Sequence, residues 1–115
     1  MDLNDVRQKM ADAVVRLKAE LTQIRTGRAN SSLVSDLIVD AYDSKMMVKA
    51  LEKFKVQIRQ VRHEFVEQVK KQKTEGDVSE DDAVRRQEDI QKLHDEFIEA
   101  IDVAGKAKEE ELRQV

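Results

Sequence analysis

A chain of 115 residues with 21 Lys+Arg against 24 Asp+Glu, a formal net charge of -3 and no proline is long enough for one domain with a modest core, not two. The absence of cysteine excludes disulfides, thiolate zinc sites and cysteine nucleophiles and suits a reducing cytosol, while no apolar run exceeds three residues, which excludes a bilayer-spanning helix. A hydrophobic fraction of 40% beside 39% charged residues describes long helices with one wet face rather than a disordered polymer.

The acidic start, Met1-Asp2-Leu3-Asn4-Asp5, has no apolar block behind it and argues against a signal peptide. Leu3, Val6, Met10, Val14, Leu17, Leu21 and Ile24 then recur at steps of three and four, which predicts a first helix over about residues 3–27 with one buried stripe. It ends in Arg25-Thr26-Gly27-Arg28, which helix propensity alone would not select. Arg28 follows Ile24 by four residues and continues the line of the stripe, so its guanidinium either faces a partner beyond the core or pairs with a neighbouring carboxylate.

A connector is expected over about 28–43, with Asn30-Ser31-Ser32 as a turn because short polar side chains compete for backbone hydrogen bonds. Leu37-Ile38-Val39 resembles a strand, but a lone strand cannot satisfy its own backbone, so a short helix or irregular segment is the better expectation. The second helix is predicted over about 44–74, burying Val48, Leu51, Phe54, Ile58, Val61, Phe65 and Val69, with Met46-Met47 packed at the bundle end. Glu75-Gly76-Asp77 closes it, glycine accepting the left-handed conformation common there. A third helix over about 80–114 has Ser79 as N-cap and Asp82 three residues on, with Glu80 and Asp81 at the positive end of its dipole; Ile90, Leu93, Phe97, Ile101, Ala104 and Leu112 are its core positions. The fold class is all-α, an up-down-up three-helix bundle.

Charge is unevenly distributed: -1 over residues 1–43, +6 over 44–73 and -8 over 74–115. Either the basic second helix and acidic third helix neutralise each other across packed faces, which charge alone favours, or a basic stripe faces RNA. Lys55, Arg59 and Arg62 stand at i, i+4, i+7 and form a row bordering the apolar face of the second helix. Taken alone they are boundary residues whose stems cover the core edge while the charges stay wet. Arg28 has a comparable structural alternative, since an up-down-up bundle brings Glu109, Glu110 and Glu111 to the same end.

Catalytic and metal chemistry find little support. His63 and Glu67, like Asp95 and Glu99, share i, i+4 spacing, but one histidine and one carboxylate are too few for a metal site. His94 is expected at the surface or core edge. Glu80-Asp81-Asp82 is explained by capping, no serine stands in a nucleophile elbow and no glycine-rich phosphate loop occurs, so neither an enzyme nor a cofactor is expected.

The Ile24-Arg25-Thr26-Gly27-Arg28-Ala29 run closely resembles that of ribosome recycling factors, and further stretches match in the family's order. They are Val61-Arg62-His63-Glu64, where the family usually has Val-Arg-Arg-Asp; Glu75-Gly76-Asp77-Val78-Ser79-Glu80-Asp81-Asp82; and Ile90-Gln91-Lys92-Leu93-His94-Asp95-Glu96. The resemblance implies a bundle that docks on large-subunit ribosomal RNA after translation termination through Arg25, Arg28, Lys55, Arg59 and Arg62, in the cytoplasm, as a monomer and with no membrane partner. Recycling factors resemble an L in which a β-rich second domain interrupts the bundle after its first helix and works with elongation factor G. Here Leu37-Ile38-Val39-Asp40-Ala41-Tyr42 looks like the opening of that domain, yet helical sequence follows directly, so the domain is expected to be missing and the chain unable to split subunits alone. His63, in place of the family's second arginine, carries only partial charge near pH 7 and is expected to weaken RNA affinity. The alternatives are a helical scaffold, engineered or reduced, that keeps the arginines only by descent, and a coiled-coil adaptor that self-associates through an exposed apolar stripe.

Overall fold

A computed structural model of the protein describes residues 3–24 and 36–113, with backbone alone for 36–40. Three helices account for nearly all of them: α1 (Leu3–Thr22), α2 (Asp36–Thr74) and α3 (Glu80–Arg113). Cross-helix pairs give the topology. Lys9 meets Glu64 and Lys53 meets Glu20, so α2 runs back along α1. Lys55 meets Asp102 and Lys73 meets Glu80, so α3 reverses α2. Arg7 meets Glu96 near one end while Lys108 reaches Ile24 near the other, so α1 and α3 run parallel. The result is an up-down-up rod of 65 × 18 × 17 Å.

The core follows the predicted stripes closely. Val6, Met10, Val14, Leu17, Leu21 and Ile24 of the α1 segment, Phe54, Ile58, Phe65 and Val69 of α2, and Ile90, Leu93, Ile101 and Leu112 of α3 are buried, with Leu51, Val61, Phe97 and Ala104 packed against them. Two positions depart from the prediction: Leu3, the first residue of α1, is 39% exposed, and Val48 is 56% exposed, its place taken by Met47 and Ala50. The reason for Val48 is phase: at 100° per residue it lies about 120° off the direction of Phe54, whereas Met47 lies within about 20° of it. Met46 is exposed while Met47 packs at the bundle end.

Two helix ends also differ from the sequence expectation. α1 stops at Thr22 rather than near residue 27, its last turn tightened by i→i+3 bonds from the Gln23 amide to the Glu20 carbonyl and from the Ile24 amide to the Leu21 carbonyl, each 3.1 Å. α2 begins at Asp36 rather than about Ser44, so the expected connector over 28–43 is helical in its later part, including Leu37-Ile38-Val39. No glycine or proline stands between Gly27 and Gly76 to break it, and a helix satisfies backbone groups that an isolated strand would leave open. Arg25, Arg28 and the expected Asn30-Ser31-Ser32 turn lie outside the described residues.

The α2–α3 corner forms as the sequence indicates. Gly76 has φ of 81°, and the amides of Gly76 and Asp77 bond back to the carbonyls of Lys73 and Gln72, the double bond of a Schellman closure. The Asp82 amide donates to Ser79 Oγ at 3.1 Å, capping α3. A Cβ at Gly76 would meet nothing within 4 Å, so Gly76→Ala probes backbone strain alone. It should lower unfolding free energy by about 1–2 kcal/mol in a denaturant titration without changing the slope.

Candidate nucleic-acid interface

α2 carries nine cations over residues 45–73, and their partners divide them into two sets. Four are held. Lys53 and Lys73 reach Glu20 and Glu80, Lys70 pairs with Glu67 on its own helix, and Lys55 Nζ lies 2.7 Å from Asp102 Oδ1 with its side chain only 22% exposed. Lys45, Lys49, Arg59, Arg62 and Lys71 stand in no ion pair among the described residues. Neutralisation between α2 and α3 is therefore real at Lys55 and Lys73 and leaves most of the basic charge of α2 unmatched.

The row Lys55, Arg59, Arg62 thus splits in function. Lys55 is committed to α3 and reaches a phosphate only by leaving Asp102. Arg59 is exposed on the solvent side of α2, and Arg62, half-buried, borders α3. Beneath Arg62 lies a small polar cluster. Asp95 Oδ1 is 2.9 Å from His94 Nδ1 and accepts from Gln91 Nε2 at 2.9 Å. The His94 ring is almost fully covered at the core edge, and its buried Nε2 has no hydrogen-bond partner, so the proton belongs on Nδ1 facing Asp95. The bond from His94, then that from Gln91, with the charge of Arg62 adding to them, holds the Asp95 carboxyl below the ordinary carboxylate range.

A depressed folded-state pKa stabilises the fold above the ordinary carboxylate value, and that contribution is lost as pH falls through the folded value. Below about pH 4, wild type should therefore lose thermal stability more steeply than Asp95→Asn, measured as melting temperature against pH.

Lys45 and Lys49 were not singled out by the sequence reading. Their i, i+4 spacing on a helix whose other basic residues recur on the same side is the signal that marks them. With Arg59 and Lys71 they extend the unmatched charge along about 39 Å of α2. Among the described residues no group of three His, Asp or Glu side chains could hold a metal ion, and no helix is long and apolar enough to cross a membrane.

Residues 44–112, most of α2 and nearly all of α3, match the family described as ribosome recycling factor. The chain belongs to the ribosome recycling factor family. Its curated relatives agree. The ribosome-recycling factor of Caldicellulosiruptor saccharolyticus is 42% identical over 71 residues, 62% of this chain and 39% of its own length. That of Erythrobacter litoralis is 25% identical over 178 residues, covering 96% of each chain. That of Agrobacterium fabrum is 25% identical over 182 residues, covering 100% of this chain and 98% of its own. An alignment of 182 positions against a chain of 115 leaves at least 67 positions of that relative with no counterpart here, the difference of the two lengths. A recycling-factor-like role on the ribosome, in a family of non-catalytic translation factors, follows from this membership.

Proposed function

We propose that this recycling-factor bundle docks on large-subunit ribosomal RNA of the post-termination ribosome, with Arg25, Arg28, Arg59 and Arg62 as phosphate contacts and Lys55 as a secondary one. The observation that carries the reading is the unmatched charge of α2, where Arg59 lies open to solvent and Arg62 beside it has no ion pair among the described residues while acidic α3 is within reach. Guanidinium forks give phosphate oxygens two hydrogen bonds each and keep their proton, and a rigid helix holds them at fixed spacing. Lys45 and Lys49 extend the same footprint.

The protein works in the cytoplasm as a monomer and does not split subunits by itself. The 67 or more unmatched positions in the A. fabrum alignment are together enough for the second domain, which in the family's architecture cooperates with elongation factor G. Pelleting with isolated large subunits at two salt concentrations tests the docking. Four phosphate contacts predict a logarithmic salt slope of about 3, at 0.7 to 0.9 per contact. A flat salt response, or no pelleting at low salt, would refute it.

A coiled-coil adaptor draws support from Val48 and Val56, exposed on α2 at 56% and 43%. Concentration-dependent dimerisation in sedimentation, unaffected by arginine substitution, would favour that reading instead.

A further inference from the structure

The pair that commits Lys55 to α3 has a counterpart about two turns away that does not close. Lys55 Nζ lies 2.7 Å from Asp102 Oδ1. Arg62 stands seven residues on from Lys55, and Asp95 stands seven residues back from Asp102. Because α3 reverses α2, equal steps bring Arg62 and Asp95 level on the same flank. The charge of Arg62 acts on Asp95, yet the two form no ion pair among the described residues. Access does not explain the difference: the Asp95 side chain is 65% exposed against 48% for Asp102, and arginine offers more donors than lysine.

The difference lies in the residues one and four places before each carboxylate. Before Asp102 they are Ile101 and Ile98, whose side chains donate nothing. Before Asp95 they are His94 and Gln91, and both act on Oδ1. Gln91 Nε2 donates to it at 2.9 Å and His94 Nδ1 stands 2.9 Å from it, with 3.3 Å between the two nitrogens. Both partners precede Asp95 on its own helix, so they draw the carboxylate back along α3 instead of across to α2. His94 does so at a cost, because its buried Nε2 has no hydrogen-bond partner. An apolar ring would cover the same core edge without that penalty; what the imidazole adds is the Nδ1 proton facing Asp95.

We infer that Gln91 and His94 are positioning residues for docking, holding the Asp95 carboxylate back along α3 so that Arg62 is withheld from an ion pair and kept for phosphate. The inference rests on the docking reading for the use of Arg62, though not for its release from Asp95. Neither Gln91 nor His94 is itself a phosphate contact.

Large-subunit pelleting and NMR of the arginine side chains, both well below the melting temperatures, compare the full chain with its Gln91→Met/His94→Phe variant. The two substitutions keep bulk and remove the donors. With Oδ1 released, Asp95 should close on Arg62 as Asp102 closes on Lys55, and exchange of the Arg62 Nε proton with water should slow. Binding should weaken about fivefold, the upper end of what a part-exposed ion pair is worth. Adding Asp95→Asn to that variant should restore both readouts, whereas Asp95→Asn alone should change binding by less than about twofold. The cycle cancels the general effect of removing one negative charge. His94→Asn, which keeps a donor near the Nδ1 position, should bind as wild type does.

Unchanged Arg62 exchange in the double variant would overturn the inference, and so would slowed exchange with undiminished binding. A binding loss that persists after Asp95→Asn would overturn it too, since a packing defect does not depend on the charge of Asp95. Slowed exchange that Asp95→Asn reverses, in a protein whose wild type does not pellet, would uphold the withholding of Arg62 and overturn the docking.

Discussion

Arg62→Glu should abolish large-subunit binding, a loss of about a hundredfold or more at low salt. The substitution removes a two-hydrogen-bond phosphate contact and replaces it with a charge that phosphate repels. Near a protein surface, a pair of unit charges about 4 Å apart interacts by roughly 4 kcal/mol, so exchanging attraction for repulsion exceeds the roughly 2.7 kcal/mol that a hundredfold change requires. Arg62 also lies beside Asp95, whose carboxyl its charge helps to keep ionised, so the glutamate places like charges together and costs some stability as well. Arg62→Gln separates the two effects, removing the contact without adding repulsion. Arg59→Glu is the cleaner test, because Arg59 is exposed and has no ion pair among the described residues, and its reversal should change stability by less than about 0.5 kcal/mol. Lys55→Gln should do the opposite: it breaks the Asp102 pair, costing about 0.2–1 kcal/mol of stability, and leaves affinity nearly intact. If Arg59→Glu and Arg62→Glu both pellet like wild type at low salt, α2 is not an RNA surface.

The contrast between Lys55 and Arg59 shows where a sequence pattern stops being informative. Their spacing puts both on one flank of α2, and the helix delivers that. Which of them is free depends on Asp102, forty-seven residues beyond Lys55, and nothing local to α2 announces it. The α2–α3 corner was legible for the opposite reason. Gly76, Ser79 and Asp82 act on backbone groups within five residues of themselves, so the turn, the cap and the start of α3 can all be named from adjacent letters.

The start of α2 was not legible because it has no such marker. Leu37-Ile38-Val39 is equally acceptable to strand and helix, and only the lack of a partner strand decides between them. Lys108 was missed by habit of pattern: at a core register a lysine is passed over, because the carbonyl that makes its burial tolerable belongs to Ile24 at the far side of the chain. His94 lies at the core edge as its register indicates, and its bonds with Asp95 and Gln91 stay within α3; only the charge of Arg62 reaches that cluster from α2, which adjacent letters do not announce.

The second large effect concerns the splitting step that the proposed role leaves out. With post-termination ribosomes, elongation factor G and GTP, splitting by this protein should stay at the factor-free background, while added to the intact factor it should inhibit, with an inhibition constant equal to its own dissociation constant for the large subunit. The physical ground is the length of chain available. Between Ile24 and Asp36 lie eleven residues, and a segment below about 40 residues does not build a core of its own without disulfides, metal or a partner chain. From Asp36 onward the chain is committed to helix through Thr74. A rod 65 Å long can occupy a docking site, but among the described residues no second body is set at an angle to it on which a GTPase could push. Binding without a lever gives occupancy without work, and occupancy of a shared site is competition. Arg59→Glu should then relieve the inhibition in proportion to its lost affinity, tying the block to the same surface. Splitting at the rate of the intact factor would show that the bundle alone transmits the force and would overturn the role proposed for the family's second domain.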